Sequence, residues 1–342
     1  MRCCCANCFG DAFLGKQIKN YSNSTGDCSY CNARNVLLID PIHLRDYFEL
    51  LLGVYCEDKS GKTLVEWLKS DWSLFGILSN AHCKDLLSEI LDDGEIVRKY
   101  YCPIVPEDEN SLERWQKFRT ELKHENRFFP KNIPDLDRLE ELLGYLSCDL
   151  LAVPSMLFRA RIMEGNTPHS PCEMGVPPIN KSTHGRANPA GIPYLYLASD
   201  IDTAIAEIRP HTGDMVCVAE FELVADFLIA DLRNPRKTIS PFSLSDEQNI
   251  VQLRNDIGFL CQLGEELSKP VLPKTAHLDY LPSQYLCEFI KHRGFGGVMY
   301  RSSVGKGTNY AIFDATSTKI GMVKKYRITG VNLDIEDITG AQ

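Results

Sequence analysis

An excess of positive charge is the first thing missing from this chain. Asp and Glu number 46 against 37 Lys and Arg, a formal net charge of −9, whereas proteins whose main task is to grip a phosphate backbone carry a basic surface. Nucleic-acid binding as the principal function is therefore not expected, although a local basic patch leaves it open. No run approaches the roughly 18 consecutive apolar residues of a membrane span. The first residues are cysteines and a glycine-containing turn, not the apolar core of a signal peptide. Neither membrane insertion nor export is expected, which places the protein in the cytoplasm. Internal repeats and low-complexity tracts are also lacking. Two nucleotide-binding signatures fail on their spacing. Gly61-Lys62-Thr63 and Gly305-Lys306-Gly307 resemble the end of a P-loop, but Cys56 and Tyr300 stand where its first glycine is required. Gly294-Phe295-Gly296-Gly297 lacks the spacing and the preceding strand of a dinucleotide fingerprint, so no Rossmann domain is implied.

What is present is enough apolar material for a large core. With 342 residues, 44% of them hydrophobic and 24% charged, the chain suits a folded protein of more than one domain. Of its 14 cysteines, four form two tight pairs and the rest lie in no paired motif. Without a signal peptide, that pattern favours reduced thiols plus a metal site over disulfides.

Residues 1–35 are rich in Cys, Asn and Ser and have little apolar periodicity, so this piece needs a staple to fold. Cys5 and Cys8 form one Cys-x-x-Cys, and Cys28 and Cys31 form another after a 19-residue gap. Each knuckle places two thiolates on a short turn, and two such turns complete a tetrahedral zinc site. Cys3 and Cys4 adjoin Cys5 and are alternatives to it, at a less usual spacing to Cys8. A closed four-sulfur site is structural, because catalytic zinc keeps a position open for water.

Residues 36–148 read as a helical module. Asp40 before Pro41 gives an N-cap and a first-turn proline, and Leu44, Tyr47, Phe48, Leu51 and Leu52 follow on one face. Ser111 is placed to cap a helix carrying Leu112, Trp115, Phe118 and Leu122, and Asp135 one carrying Leu136, Leu139, Leu142, Leu143 and Leu146. Trp67 and Leu68 mark a further helix. Nothing in this segment concentrates nucleophiles, bases or metal ligands. From about residue 150 to 335 the texture changes to short β-rich runs at 194–198, 215–223, 227–231, 297–300 and 310–313, with helical patterns at 201–209, 246–264 and 283–292. The overall class is mixed α+β.

Chemistry concentrates in this last segment. Met156-Leu-Phe-Arg-Ala-Arg161 is followed by a polar loop with Arg186 and Asn188, a Gly-Pro turn, a strand containing Tyr196 and a helix carrying Glu207. An arginine fork suited to phosphate oxygens and a carboxylate are thereby brought toward one strand end. His169 and Cys172 lie in a proline-rich loop without evident partners. His184 and His211 read as surface residues.

The series Gly185-Arg186-x-Asn188-Pro189, Tyr196-Leu-Ala-Ser199, Ala206-Glu207-Ile-Arg209 and Tyr300-Arg-Ser302 resembles the RES domain, a family named for its arginine, glutamate and serine. The N-terminal half resembles, more loosely, the small HEPN/RES-type cysteine-containing domain found before RES and certain RNase-type toxin domains. The resemblance implies a fold similar to ADP-ribosyltransferases and a toxin that consumes NAD+ as substrate. Carried over, the family residues fall on Arg186, Glu207, Ser302 and Tyr196 as catalytic, with Arg159, Asn188 and Asn309 joining Arg186, Tyr196 and Ser302 in holding the dinucleotide. Many members have an aromatic residue where this chain has Ala187.

Loss of neutral nicotinamide leaves positive charge on the ribose, as in glycoside cleavage, and Glu207 is the carboxylate placed to stabilise it. Water as acceptor makes a glycohydrolase, phosphate a phosphorylase and a protein side chain an ADP-ribosyltransferase; hydrolysis is the first expectation. The competing reading is a zinc-containing nucleic-acid or protein recognition factor on an inactive RES-like scaffold. The enzyme reading implies a neutralising antitoxin or a defence-system partner such as one acting against phage, and it leaves an oligomer open.

Overall fold

The computed structural model describes residues 2–106, 110–224, 226–272 and 274–332; residues 333–335 of the expected C-terminal domain lie outside them. In chain order the elements are α1 (Ala12–Tyr21), β1 (Ser24–Gly26), β2 (Val36–Leu38), α2 (Arg45–Leu52), β3 (Tyr55–Lys62), α3 (Leu64–Trp72), α4 (Asn80–Leu91), β4 (Tyr101–Pro103), α5 (Ser111–His124) and α6 (Leu136–Tyr145). There follow β5 (Ser147–Cys148), β6 (Leu157–Ile162), β7 (Leu195–Ala198), α7 (Ile201–Glu207), β8 (Met215–Leu223), β9 (Ile229–Asp231), α8 (Pro235–Thr238) and α9 (Glu247–Ser268). The chain continues through α10 (Ala276–Asp279), α11 (Leu281–His292), β10 (Gly297–Arg301), β11 (Thr308–Ile312) and β12 (Thr318–Arg327). No helix among the described residues is long and apolar enough to cross a membrane.

Packing groups the residues into two compact units. The first comprises Met1–Glu121, Phe129–Leu146 and Asn234–Gln262, the second Leu122–Phe128, Ser147–Arg233 and Leu263–Gln342. This grouping departs from a division by chain order at residues 234–262, which pack with the N-terminal elements because Phe242 sits 5.1 Å from Phe48, and Phe259 5.9 Å from Trp115, between ring centroids.

The first unit is helical with two small ladders, β1–β2 and β3–β4. Its helix starts follow side-chain chemistry. Asp40 accepts from the Ile42 N–H ahead of a 3-10 turn over Pro41–Leu44 that runs into α2, and Asp135 accepts from the Arg138 N–H to open α6. At α5 the expected cap is displaced by one residue. Asn110 accepts from the Leu112 N–H, while Ser111 is already helical and donates to the buried Asp256. That carboxylate is also gripped by Arg138, a buried charge made tolerable by its partner.

The second unit is built on an eight-stranded sheet in the order β12-β8-β6-β7-β11-β10-β9-β5. Neighbours are antiparallel except β9 and β10, which are parallel. One face carries the main core, with Leu157, Leu195, Leu197, Phe221, Met299, Tyr310 and Ile312. On the other face, small residues Ala160, Ala198 and Val218 let α7 lie close through Ala204, Ile201, Ile205 and Ile208.

Candidate active site

Strands β6 and β7 pair only at Phe158 and Ala198, whereas β6 and β8 pair along the whole of β6. At this weak seam lies a pocket of about 250 Å³, lined by residues 158–160 of β6 and 196–198 of β7 together with Ala204, Glu207, Ile208, Tyr300 and Asn309.

Glu207 reaches the pocket because α7 is fixed at its start. Asp200 caps the helix by accepting from the Thr203 N–H at 2.7 Å and also accepts from the Ser199 and Thr203 hydroxyls. Burial opposes its charge, but these bonds outweigh it and hold the Asp200 carboxyl below its usual range. A Cβ at Gly307 would overlap Asp200 Oδ2 and Thr203 Oγ1, so glycine is what lets the turn after β10 approach the helix start. That turn carries Ser302. Its Oγ accepts from the N–H groups of Val304 and Gly305, at 3.2 and 2.8 Å, and donates to Glu207 Oε1 at 2.7 Å. Asn309 Nδ2 donates to the same oxygen at 2.6 Å. Glu207 Oε2 has no partner among the described residues. Three residues assigned from sequence, Glu207, Ser302 and Asn309, thus form one hydrogen-bonded group.

Asn188 and Tyr196 form a second group. Asn188 Nδ2 donates to the carbonyls of Thr183, Pro189 and Ile192, and its Oδ1 accepts from Tyr196 Oη at 2.7 Å. The Ala187 N–H donates to Tyr196 Oη at 2.9 Å. A Cβ at Gly185 would overlap both Asn188 Oδ1 and the Tyr196 hydroxyl. From α11, Gln284 Nε2 donates to the carbonyls of Gly185 and Asn188, and Ser283 Oγ to that of Arg186. The Tyr196 ring lines the pocket while its hydroxyl, whose ionisation burial opposes, is spent on the loop. Ala187 is fully buried, so its small side chain sits inside the loop's packing.

The arginines differ. Arg186 is outside the pocket lining; its Nη1 donates to the Lys269 carbonyl at 2.7 Å and its guanidinium lies 5.3 Å from the Tyr280 ring centroid. Arg159 lines the pocket, and its Nη1 is buried without a hydrogen-bond partner. Burial, with the nearby charge of Arg161, pushes its pKa down to about 10. A buried guanidinium nitrogen without a partner is costly and is a donor left free for an acceptor. His184 and His211 are exposed, and His169 Nε2 lies 2.9 Å from the Ile162 carbonyl.

Sequence reasoning missed Tyr300, Ser283 and Gln284. Tyr300 opens the Tyr300-Arg-Ser302 motif, whose spacing marks only the serine. Ser283 and Gln284 sit in a helix whose pattern reads as core, and nothing local marks them as supports for a loop nearly a hundred residues earlier.

The cysteine cluster is separate from this chemistry. The sulfurs of Cys5, Cys8, Cys28 and Cys31 all lie within 4.8 Å of one another, with Cys5–Cys31 at 3.5 Å and Cys8–Cys28 at 3.3 Å. A tetrahedral zinc with Zn–S bonds near 2.3 Å sets its sulfurs about 3.8 Å apart, so the donor set fits. Burial pushes the Cys5 thiol up to about 12, whereas at Cys28 burial is outweighed by hydrogen bonds that hold the thiol below its usual value, and a bound cation would favour the thiolate form throughout the group. Cys4 Sγ lies 3.7 Å from the Ile39 carbonyl instead, and Cys3 is not in the group.

The architecture is therefore a mixed α+β unit with a pocket at a sheet seam and a carboxylate on the helix crossing it. The RES domain model matches residues 157–331, just over half of the chain, and the chain belongs to that family. The crystal structure of the M. tuberculosis MbcT-MbcA toxin-antitoxin complex is similar at a TM-score of 0.32 and 11% identity, over 55% of this chain and 92% of that one. At that score the likeness carries no argument. No curated protein matches the chain.

Proposed function

We propose that the second unit cleaves the nicotinamide–ribose bond of NAD+ in the cytoplasm, with water as acceptor. The observation that carries this reading is the Glu207 carboxylate at the pocket, with Oε1 held by Ser302 and Asn309 and Oε2 free of any partner among the described residues. The C1′–N bond breaks with its electron pair passing to the pyridine nitrogen, water adds to C1′, and the water's proton is lost to solvent. Positive charge on the ribose is greatest midway, where a fixed carboxylate lowers the barrier most. At about 250 Å³ the pocket is smaller than the roughly 300–1,000 Å³ of common small-molecule sites. It takes the nicotinamide-riboside end and leaves the adenosine outside.

In this reading the Tyr196 ring packs against the nicotinamide or ribose, and Asn188 acts by fixing Tyr196. Arg159 and the remaining N–H groups of Arg186 meet the pyrophosphate. Ser302 and Asn309 hold Glu207 in place. Cys5, Cys8, Cys28 and Cys31 hold a structural zinc that folds the N-terminal residues. Because uncontrolled NAD+ loss is lethal to a cell, a neutralising partner protein or a trigger belongs with this activity.

The test is incubation of the purified protein and its Glu207→Ala variant with NAD+, with and without phosphate, and separation of the products. Nicotinamide plus ADP-ribose from the wild type alone establishes hydrolysis. A phosphorylated ADP-ribose that needs phosphate moves the assignment to a phosphorylase. Intact NAD+ throughout counts against the enzyme reading.

A further inference from the structure

Tyr300 of β10 and Asn309 of β11 stand opposite one another in the ladder, and both line the pocket. Cross-strand partners share a face of the sheet, with Cβ atoms about 4.5–5.5 Å apart. Asn309 gives its Nδ2 to Glu207 Oε1. An ionised carboxylate only accepts hydrogen bonds, so this contact decides which end of the amide faces Glu207 and leaves Oδ1, an acceptor, at the other end. Tyr300 is 3% exposed, and burial raises its phenol well above the usual pKa, keeping it a donor. Neither Tyr300 Oη nor Asn309 Oδ1 has a hydrogen-bond partner among the described residues. Tyr196 Oη is committed to the loop. Phe158, Ala160, Ala198, Ala204 and Ile208 supply the apolar part of the lining, beside the charged Arg159 and Glu207.

We propose that Tyr300 and Asn309 together read a primary carboxamide on the substrate's pyridine ring, Tyr300 Oη donating to the amide carbonyl and Asn309 Oδ1 accepting from its NH2. This rests on the reading of the pocket as the site for the nicotinamide end of NAD+, and it narrows the substrate class to dinucleotides with an uncharged amide. The nicotinic acid dinucleotide offers no N–H to Asn309 and sets a second negative charge near Glu207. A pyridine dinucleotide without the amide leaves both protein groups unanswered, the situation that gives strong discrimination.

Two measurements test it on the full chain. The first is kcat/KM for NAD+, for nicotinic acid adenine dinucleotide and for the dinucleotide lacking the carboxamide, in wild type and Tyr300→Phe. The second, independent of turnover, is the affinity for free nicotinamide, nicotinate and pyridine by NMR titration. A wild-type preference for the amide of at least about tenfold in either series, shrinking by about tenfold in a Tyr300→Phe protein of unchanged melting behaviour, supports the inference. Equal handling of amide and acid, or a preference untouched by Tyr300→Phe, overturns it. Selective nicotinamide binding without NAD+ cleavage supports it while removing the catalytic reading. Cleavage with no preference for the amide removes this inference alone. Binding of none of the three small ligands, with no cleavage, overturns both.

Discussion

Glu207 shows how one side chain acquires a role from its neighbours. Alone it is an exposed residue at a helix end; what distinguishes it is a serine whose lone pairs are occupied by two backbone N–H groups, so that its proton is aimed at the carboxylate. A charge-assisted hydrogen bond of this kind is worth about 1.5–3 kcal/mol. If Glu207 is catalytic, Ser302→Ala lowers kcat/KM by roughly 10- to 100-fold with little change in thermal midpoint, which steady-state kinetics and a melting curve check together. Arg159 makes the opposite bargain. With its folded-state pKa lowered to about 10 from 12.5, the unfolded chain binds more protons between those values, so this residue's contribution to stability rises as pH climbs through that window. Below it the penalty is present in full, up to about 3 kcal/mol. Arg159→Met is therefore expected to raise the thermal midpoint near pH 7.5 while weakening NAD+ binding. A variant that melts lower and binds equally well would show that the cation is neither strained nor used.

At the scale of elements, two devices set the site: the capped start of α7 and the loop folded over Tyr196. Gly185→Ala must displace both Asn188 Oδ1 and the Tyr196 hydroxyl, and overpacking of this kind costs about 1–3 kcal/mol. The expected outcome is a lower melting temperature together with lost activity, measured on the same sample. Most elements were legible, since β7, β8, β10, β11, α9 and α11 fall within a few residues of where the apolar patterns put them. Strand β12 was not. It is an edge strand with Lys319, Lys324, Lys325 and Arg327 and a bulge between Ile320 and Val323, and a bulge breaks the period-two alternation that reveals a strand. The start of α5 was misplaced by one residue because Ser111 has cap chemistry, yet the carboxylate of Asp256, 145 positions away, competes for its hydroxyl.

On the scale of the whole molecule, chain order and packing disagree at residues 234–262, which join the first unit through Phe242 and Phe259. The same unit contains the four-sulfur cluster. Elemental analysis is expected to find about one zinc per chain, and Cys8→Ser to lose the metal and lower the stability of the first unit. Full metal retention in that variant would show that Cys8 is not a ligand, and retention in Cys5→Ser would point to Cys3 or Cys4 in its place.

The sequence by itself determined the cysteine pairs, the mixed α+β class, the positions of most strands and helices, and the short motifs that mark the chain as a RES domain protein. These are local properties, set by spacing and by which side chains recur on one face. Only the tertiary structure decided that Glu207, Ser302 and Asn309 share one hydrogen-bonded group, that Tyr196 spends its hydroxyl on the loop, and that Tyr300 faces Asn309 across the β10–β11 ladder. Those facts depend on strand register and on the approach of a turn to a helix start across about a hundred residues, which no local pattern encodes.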